Sequence, residues 1–559
     1  MHHTTVTSKA SPRTARALVC LFFAAFLALG LFTVSGYGQP WDELDEMDIL
    51  RMNLWEYAQR FGLDEAAFLR LSEQESVSIS QLTPISQSME RDHGVGAFYP
   101  LAQVVMNPAM PQSTRMLYWH SACWVYFTLG AFALYACVRA LGLSRGAGLL
   151  AALFLLLSPR FFAEGHYNNK DVVLMSLVLC TLWQGLFLLQ KTSYPRGLCF
   201  AFFGALAANT KVIGFAVWGL CALFVLGWQL AHFAGERKSL LRCLRVDLVT
   251  LLSMLCFYTL LTPALWREPL AFVRYLFQNA TAFQRWNGFV LFRGAVFDTS
   301  TAPLPWYYLP YMMLATTPLW LLVMAFMGQL SAIAAIVRKR AGLLQNSRAY
   351  SLLLVTLLWL LPLGFALLTR TRVYNGWRHF YFLYGPLLVL AVYGTSTLWR
   401  KLRTRKCMRR IFAGALALGM LCTGIGMVQA HPYQFAYEQP LVRCRENGRY
   451  LELDYWNVSA VNALQTLLAQ TTGNLTVGYS DLWTKAGLER GLNALPSASR
   501  ARITPMAQGA RYLLENPTYS VFSGFAPTQA MTDAVNIVAY GHPIMRIYED
   551  TAAPKEVEP

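Results

Sequence analysis

Four carboxylates lie within five residues at the end of a long apolar run near the N-terminus. They belong to Asp42, Glu43, Asp45 and Glu46, and the apolar run covers residues 17–35. A carboxylate at a membrane surface could accept a proton from a reacting hydroxyl or amine, a step that typically contributes about 10²–10⁴ in rate. The alternative is helix capping, because acidic residues in a first turn interact favourably with the helix dipole. Capping accounts for one or two acids, but not for four.

A second polar cluster interrupts the apolar sequence between residues 158 and 177. Its charged and hydrogen-bonding members are Glu164, His166, Asn168, Asn169, Lys170 and Asp171. Asp171 begins an apolar helix, so capping of that helix is again the alternative to a chemical role. We expect Asp42 and Asp171 at the same membrane level, at the outer ends of different helices.

Cations also occur where a membrane protein does not ordinarily place them. Lys211 lies between two apolar runs, where a lone lysine is costly and usually functional, although snorkelling reduces the cost. Further basic residues fall in two loops predicted to lie outside the membrane: Arg267, Arg285, Arg293, Arg370, Arg372, Arg378 and His379. The guanidinium fork of arginine suits phosphate groups. The alternative for these cations is salt bridges with the acidic segment that begins at Asp42.

A membrane domain must position these residues. Of the 559 residues, 55% are hydrophobic and only 14% are charged, whereas roughly a quarter are charged in a soluble globular protein. Apolar stretches of about 20 residues, the length that crosses a bilayer, predict an α-helical polytopic protein with about eleven transmembrane helices. The predicted spans are 16–35, 114–138, 145–161, 170–190, 197–210, 212–232, 246–265, 307–336, 349–369, 378–398 and 410–429. The first is interpreted as an uncleaved transmembrane helix, because it is long for a signal peptide and further spans follow.

Basic residues predict the orientation of these spans. Lys and Arg concentrate in alternate loops, such as "GERKSLLRCLR" and "WRKLRTRKCMRR", and basic loops are cytoplasmic as a rule. This pattern predicts a multi-pass protein of the cytoplasmic (inner) membrane, with its N-terminus in the cytoplasm and its C-terminus outside. Topology and contact with anionic membrane lipids account for the net charge of +17, and we expect no nucleic-acid partner.

The sequence also predicts two domains. Residues 1–429 form a transmembrane domain that includes the long outside loops 36–113 and 266–306, and residues 430–559 form a small extracytoplasmic α/β domain. Within the second domain, strand character is found in "NLTVGYS", "YSVFSGF", "AVNIVAY" and "IMRIYED", and helical periodicity in "NVSAVNALQTLLAQ" and "MAQGARYLLEN". Strands that alternate with helices are typical of the α/β class.

Together, the charges describe an outward-facing cavity close to the lipid, with carboxylates on one side and cations on the other. Transfer of a glycosyl group from a lipid phosphate needs both, because cations stabilise the departing phosphate and a carboxylate accepts the acceptor's proton. The sequence contains no Gly-x-x-x-x-Gly-Lys-Ser/Thr, Gly-x-Ser-x-Gly or His-Glu-x-x-His motif. Nucleotide-driven and metalloprotease chemistry therefore have no support.

Several stretches resemble those of integral-membrane C-type glycosyltransferases, specifically the bacterial relatives of protein O-mannosyltransferases and of the lipid A aminoarabinose transferase. The resemblance runs from the first span to about residue 460. The stretches that carry it are "WDE" (41–43), "SPRFFAEGHYNNKD" (158–171), "ANTKVIG" (208–214), "LPWYYLPYMMLATTP" (304–318), "GWRHFYFLYGP" (376–386), "HPYQFAYEQPL" (431–441) and "LDYWNVS" (453–459). Their order and topology together are more specific than any one of them.

The resemblance implies the C-type glycosyltransferase fold and transfer of a sugar from a polyprenyl-phosphate donor to an extracytoplasmic lipid, glycan or protein. It implies that Asp42 is the catalytic base, that Glu43 orients Asp42 or the acceptor, and that Asp171 is the second acid of the site. Lys211, Arg378 and His379 would contact the donor phosphate.

Two departures from the family pattern affect the acceptor side more than the donor side. The stretch "VRCRENGRY" stands where the family often has Gly-Gly, and Asn169 replaces the usual Pro before Lys170. They leave the role of Asp454 open. Some members need a divalent metal and others do not, so a divalent metal is possible and metal dependence stays open.

Two other functions compete with glycosyl transfer. A transporter or flippase of lipid-linked sugars often shows internal repeats and broken helices near the midplane, and the sequence shows neither. A non-catalytic scaffold or receptor with an exported α/β domain would leave the outside clusters of acids and arginines without a purpose.

Overall fold

The computed structural model describes residues 12–62, 84–281, 288–446 and 451–553, and these residues are mainly helical. The helices are α1 (Pro12–Thr33), α2 (Glu43–Phe61), α3 (Ala102–Val105), α4 (Gln112–Ala140), α5 (Arg145–Leu156), α6 (Pro159–Tyr167), α7 (Asp171–Gln190), α8 (Tyr194–Thr210), α9 (Ile213–Phe233), α10 (Arg237–Leu261), α11 (Ala264–Arg267), α12 (Pro269–Thr281), α13 (Tyr308–Ala315), α14 (Leu319–Arg338), α15 (Ser347–Thr369), α16 (Tyr384–Lys401), α17 (Lys406–Gln429), α18 (Pro440–Glu446), α19 (Ala460–Gln470), α20 (Leu482–Ala494), α21 (Ser497–Arg500) and α22 (Pro517–Ser523). The strands are β1 (Phe289–Phe292), β2 (Ala295–Asp298), β3 (Leu475–Tyr479), β4 (Ile503–Pro505), β5 (Tyr512–Glu515), β6 (Met531–Ala539) and β7 (His542–Asp550).

Within the described ranges, eight helices are long and apolar enough to cross a membrane, or nine if the bent pair α5 and α6 forms one span. Each of the eleven predicted spans falls on helical sequence, but α8 and α10 are not among the eight. α8 has only 17 residues, and the first half of α10 is rich in basic residues. The expected polytopic helical fold is confirmed.

Close backbone contact holds part of the bundle together. A Cβ atom at Gly328 of α14 would lie 1.9 Å from the carbonyl oxygen of Leu390 in α16, and one at Gly394 would lie 2.5 Å from the backbone nitrogen of Gly328. Small residues let membrane helices approach this closely. By contrast, 89% of the apolar stretch of α7 is buried inside the protein and only 6% of that of α17. α7 is therefore central and α17 peripheral.

The break between α5 and α6 brings polar residues into the protein interior. The two helices meet at 75°, where Pro159 occupies the first turn of α6, a position proline tolerates because the backbone N–H there has no helical partner. Ser158, which precedes it, forms a hydrogen bond of 2.6 Å with the Tyr384 hydroxyl. Every residue of α6 is buried, and the helix leads directly to Asp171.

The C-terminal part contains a mixed five-stranded sheet in the order β4-β3-β5-β7-β6. β3 pairs in parallel with β4 and β5, whereas β7 pairs antiparallel with β5 and β6. The α/β class is thus as expected.

Two elements of the C-terminal part differ from their predictions. Residues 519–525, predicted as a strand, lie mostly in α22, because Asn516 accepts a hydrogen bond from the Thr518 backbone and Pro517 begins the helix. Residues 506–516, predicted as a helix, contain β5 in the middle of the sheet. Apolar periodicity does not separate a short buried strand from a helix.

The two predicted domains share a hydrophobic core. Tyr37, Ala163 and Tyr167 belong to the same buried cluster as the core of the C-terminal sheet, which includes Val477 and Ile547. This cluster joins the residue Tyr37, which follows α1, and two residues of α6 to the C-terminal part. It therefore holds the region around Asp42 between the helical part and the sheet.

Candidate active site

Asp42 presents a carboxylate without a protein partner. It occupies the N-cap position of α2, but its side chain makes no capping hydrogen bond. It is half-buried, and no side chain or backbone group of the described ranges bonds to or pairs with its carboxylate. Capping therefore does not explain this acid.

The surroundings of Asp42 favour proton uptake near neutral pH. Burial raises the pKa of Asp42 to about 6, and the negative charges of Glu46 and Asp45 act in the same direction. The positive charges of Arg378 and Lys170 oppose the rise. The neighbouring acids thus contribute to the raised pKa of Asp42, but burial is the larger cause.

The other acids of this segment have defined partners. Glu43 is buried and bonds to His120 Nε2 at 2.6 Å and to Gln39 Nε2 at 2.8 Å, so it faces α4. Glu46 is buried in an ion pair with Lys170, and Asp45 is exposed. Of the four acids, Asp42 therefore has no partner among the described residues, Glu43 and Glu46 are buried with partners, and Asp45 lies on the surface.

Asp171 is the centre of a cluster of cations. One carboxylate oxygen is paired with Lys211 Nζ, and the other lies 3.7 Å from Arg378 Nη1. Its backbone N–H donates to Asn168 Oδ1 at 2.7 Å, so the asparagine caps the start of α7. Because Asn168 caps the helix, the carboxylate of Asp171 is not needed as a cap and can pair with the cations.

Arg378 connects the two carboxylate regions, because it pairs with Asp171 and interacts electrostatically with Asp42. Its guanidinium carbon lies 5.0 Å from the ring centroids of both Tyr374 and Trp456, within the range of a cation–π interaction. These rings hold the guanidinium in place.

Two buried nitrogens at this point have no protein acceptor among the described residues. They are Arg378 Nε and His379 Nδ1. Buried polar groups are ordinarily hydrogen-bonded, so donors of this kind are suited to an anionic ligand. Sequence reasoning selected Asp42, Asp171, Lys211, Arg378 and His379, and the structure brings these five residues together.

Sequence reasoning assigned no role to Glu164, which is completely buried. Its carboxylate accepts hydrogen bonds from the Tyr381 hydroxyl and from Asn168 Nδ2, both at 2.8 Å, and lies 3.9 Å from Arg160 Nη1. Through Asn168 it supports the start of α7. Its place in the polar cluster between residues 158 and 177 was the available signal.

Two acids of "LELDYW" also lie near the site. Glu452 accepts from the Leu291 backbone at 3.0 Å and from Asn375 Nδ2 at 3.4 Å, and burial raises the pKa of Glu452 to about 7. Asp454 accepts from the backbones of Val458 and Ser459, both at 2.9 Å. Asp454 therefore has a structural role in the turn before α19, which the sequence left open.

The remaining arginines of the two loops that the sequence predicts to lie outside are dispersed. Arg267 donates to Glu56 Oε2 at 2.9 Å. This is a salt bridge with the acidic segment that begins at Asp42, which was the alternative to phosphate binding for these cations. Arg370 and Arg372 are exposed, and the guanidinium carbon of Arg293 lies 5.5 Å from the Tyr311 ring centroid. Arg285 lies outside the described residues.

The carboxylates do not form a set suited to a metal ion. No group of three His, Cys, Asp or Glu residues in the described ranges is arranged to hold one. The oxygens of Asp171 face cations, Glu46 faces Lys170, and Glu43 is bonded to His120. No catalytic step is therefore derived through a metal.

Comparison with known proteins gives similarity of structure only, since no protein-family model and no curated protein matches the sequence. The crystal structure of ArnT from Cupriavidus metallidurans in the apo state is similar over 97% of this chain and 100% of that chain, with 13% identity and a TM-score of 0.41. The same protein bound to undecaprenyl phosphate is similar over 97% of this chain and 99% of that chain, with 12% identity and a TM-score of 0.42.

The arabinofuranosyltransferase AftD from Mycobacteria is similar over 98% of this chain and 42% of that chain, with 15% identity and a TM-score of 0.40. ArnT and AftD are membrane C-type glycosyltransferases. These neighbours are of the class that the sequence resembles. At identities below 25% and TM-scores below 0.5, this similarity does not extend to substrates or to function.

Proposed function

We propose that the protein transfers a sugar from a polyprenyl-phosphate donor to an extracytoplasmic acceptor, at the outer face of the cytoplasmic membrane. The observation that carries the proposal is that Arg378 lies between two different carboxylates. On one side is Asp42, which is accessible and has no partner among the residues that the structure describes; on the other is Asp171, which holds Lys211. A proton acceptor and a phosphate-binding cluster are what this reaction requires side by side.

The reaction in this site would proceed as follows. The acceptor's hydroxyl or amine loses its proton to Asp42 while its oxygen or nitrogen forms a bond to the anomeric carbon of the sugar. The bond between that carbon and the phosphate oxygen breaks, and the oxygen keeps the electron pair. The carrier is released as polyprenyl phosphate, which has one more negative charge than it had as a diester.

The cations would stabilise this additional charge. Lys211 and Arg378 are held by Asp171, and the free nitrogens of Arg378 and His379 would donate to phosphate oxygens. Preorganised donors of this kind stabilise charge that develops in the transition state. Asp171 would thus keep the cluster in position, and Glu43 would orient Asp42 by fixing the first turn of α2 to His120.

Replacement of Asp42 by Asn tests the proposal. Asn has nearly the same shape and caps helices about as well as Asp, so Asp42→Asn should insert and fold normally but lose transfer by about two orders of magnitude or more. The measurement is transfer of radiolabel from a polyprenyl-phosphate-linked sugar pool to envelope acceptors, with purified protein in lipid nanodiscs.

Asp48→Asn is the matched control, because Asp48 lies in the next turn of α2 and its half-exposed carboxylate pairs with Arg51. It should retain wild-type transfer. Wild-type activity of Asp42→Asn combined with loss of activity in Asp45→Asn would mean that the base is wrongly assigned. A protein that only moves lipid-linked sugars across the membrane would show no transfer in any variant, including wild type.

A further inference from the structure

Five aromatic side chains form a continuous group beside the site. We refer to Trp41, Phe289, Trp483, Tyr519 and Phe522 as the aromatic wall. Trp483 and Tyr519 are stacked, with ring centroids 5.7 Å apart and planes 13° apart, and Trp41 lies 6.3 Å from Tyr519 on a plane tilted by 33°. Phe522 lies 5.9 Å from Tyr519 and 6.0 Å from both Trp483 and Phe289.

The wall has a fixed centre and an accessible periphery. Tyr519 is buried, and its hydroxyl donates to the Tyr455 carbonyl at 2.5 Å. Trp41, Trp483 and Phe522 are half-buried, and Phe289 is 41% exposed. The buried ring of Tyr519 therefore supports neighbouring rings whose surfaces are in part accessible to a ligand.

The wall is adjacent to the candidate base. Trp41 immediately precedes Asp42, and its carbonyl accepts a hydrogen bond of 3.0 Å from Arg490 Nε of α20. Tyr519 interacts electrostatically with Arg378 and Glu452. The wall thus borders the site on the side of the C-terminal domain, which carries three of its five members.

The edge of the wall near Trp41 is polar. Asp45 is exposed and interacts electrostatically with Arg490, whose backbone partner is Trp41. A carboxylate and a guanidinium at the border of a flat aromatic surface can bond to hydroxyl groups that point away from the rings. The combination of flat apolar faces with a polar border is suited to a ligand that is apolar on one face and hydroxylated at its rim.

We propose that the aromatic wall is the acceptor subsite and that the acceptor is a carbohydrate, a conclusion that rests on the proposed function. A pyranose ring has C–H groups on its flat faces and hydroxyl groups at its rim, which matches the wall and its polar border. Stacking on Trp483 and Trp41 would direct a sugar hydroxyl of the acceptor toward Asp42.

Two other acceptor classes fit the wall less well. An acyl chain would have to leave the bilayer, because α20 and α22 belong to the C-terminal sheet domain rather than to the membrane spans. A polypeptide is commonly bound by adding a strand to a sheet edge, and the edge strands of the five-stranded sheet, β4 and β6, contribute no residue to the wall.

The experiment measures transfer of label from the polyprenyl-phosphate sugar pool to envelope material from cells that lack the protein. The envelope material is divided into protease-treated glycan and deglycosylated protein, and butanol–water partition separates lipid-anchored from free glycan. We expect label in one of the glycan fractions. Label confined to the protein fraction would overturn the assignment of a carbohydrate acceptor.

Variants of the wall test the subsite itself. Trp483→Ala should raise the KM for the glycan acceptor roughly 5- to 10-fold, the effect of losing one aromatic stacking partner, with kcat within twofold. Trp483→Phe should restore much of the affinity. The matched control is Phe525→Ala, because Phe525 follows α22, the helix of Tyr519 and Phe522, but its ring packs against Tyr548 with centroids 6.3 Å apart. A wild-type KM for Trp483→Ala, or a change that Phe525→Ala reproduces, would overturn the proposal.

Two further readouts separate the possible failures. Binding of undecaprenyl phosphate to Trp483→Ala reports whether the membrane domain is folded, and Phe522→Ala provides a second variant if Trp483→Ala is unstable. An inactive Asp42→Asn together with an unaffected Trp483→Ala refutes only the aromatic subsite. An active Asp42→Asn refutes the assignment of the base, and absence of transfer by the wild-type protein refutes the proposed function.

Discussion

Asp42 is subject to opposing influences that together set its proton affinity. Burial and the charges of Glu46 and Asp45 favour the protonated acid, whereas Arg378 and Lys170 favour the carboxylate, and the pKa is raised to about 6. A base with this pKa is ionised at neutral pH and still accepts a proton readily. Its strength depends on Lys170 and Arg378, which precede α7 and α16 in the chain, as well as on the acids of α2.

The pH profile should show this ionisation. Transfer requires the ionised form of Asp42, so activity should be highest above pH 6 and fall about tenfold for each unit below it, as expected for one essential base. The measurement is kcat/KM for the donor between pH 4.5 and 8, in protein whose fold is checked at each pH. A profile that is flat from pH 5 to 8 would contradict the assignment of Asp42.

Each of the two cations paired with Asp171 should contribute to use of the lipid-phosphate donor. Lys211→Ala and Arg378→Ala should each weaken use of the lipid-phosphate donor by roughly 10- to 150-fold, because a hydrogen bond to a charged group contributes about 1.5–3 kcal/mol. Steady-state kinetics with varied donor concentration measure this effect.

Arg267→Ala is the control for the donor variants, since Arg267 pairs with Glu56 and its side chain is 45% exposed. It should leave donor kinetics unchanged.

Removal of Lys211 also leaves the buried Asp171 with one cation fewer, so Asp171→Asn should improve the thermal stability of Lys211→Ala without restoring donor use. Unchanged donor kinetics in both cation variants would remove these residues from the site.

The candidate site could be predicted from the sequence where a charge conflicted with topology. Lys211 and Arg378 stood out because topology gives no reason for a cation at these positions, and Asp171 because it lies in a cluster of polar residues between apolar runs. The structure places the three residues together. The partners of Glu43 and Glu452 could not be predicted in the same way. His120 and the Leu291 backbone are far away in the chain, so only the tertiary fold identifies them.

At the scale of elements, apolar length predicted the helices well and their breaks poorly. The span predicted at 145–161 is two helices at 75°, and the one at 307–336 is divided between α13 and α14. Hydropathy is similar on both sides of the break between α13 and α14. The break between α5 and α6 depends on local groups such as Pro159. β5 was predicted as part of a helix, and most of α22 was predicted as a strand. Apolar periodicity does not distinguish the two in short segments, whose conformation depends on the residues around them.

The contact between α14 and α16 gives a test of packing. Gly328→Ala should destabilise the protein by about 1–3 kcal/mol, because the added Cβ would meet the Leu390 carbonyl at 1.9 Å. The matched control is Gly364→Ala in α15, where no atom lies within 4 Å of the added Cβ. The measurement is thermal unfolding in detergent, and equal unfolding temperatures for the two variants would contradict the close approach of these helices.

At the scale of the whole molecule, orientation is the first property to establish. A reporter fused after Arg410 should be cytoplasmic and one fused after Pro559 extracytoplasmic, because the basic loops predict a single crossing by α17. Paired alkaline phosphatase and fluorescent-protein fusions measure this, and a fusion after Arg340 serves as a second cytoplasmic control. Both ends on one side would refute the predicted arrangement of eleven spans.

The core that Tyr37 and Tyr167 share with the C-terminal sheet has a consequence for the order of events during synthesis. Trp41 emerges from the ribosome 449 residues before its partner Arg490, which corresponds to about 20–90 s at 5–20 residues per second. The membrane helices and their carboxylates are therefore inserted long before the chain that covers them exists. Completion of the site would be the last step of biogenesis, so nascent or C-terminally truncated chains should be inactive rather than partly active.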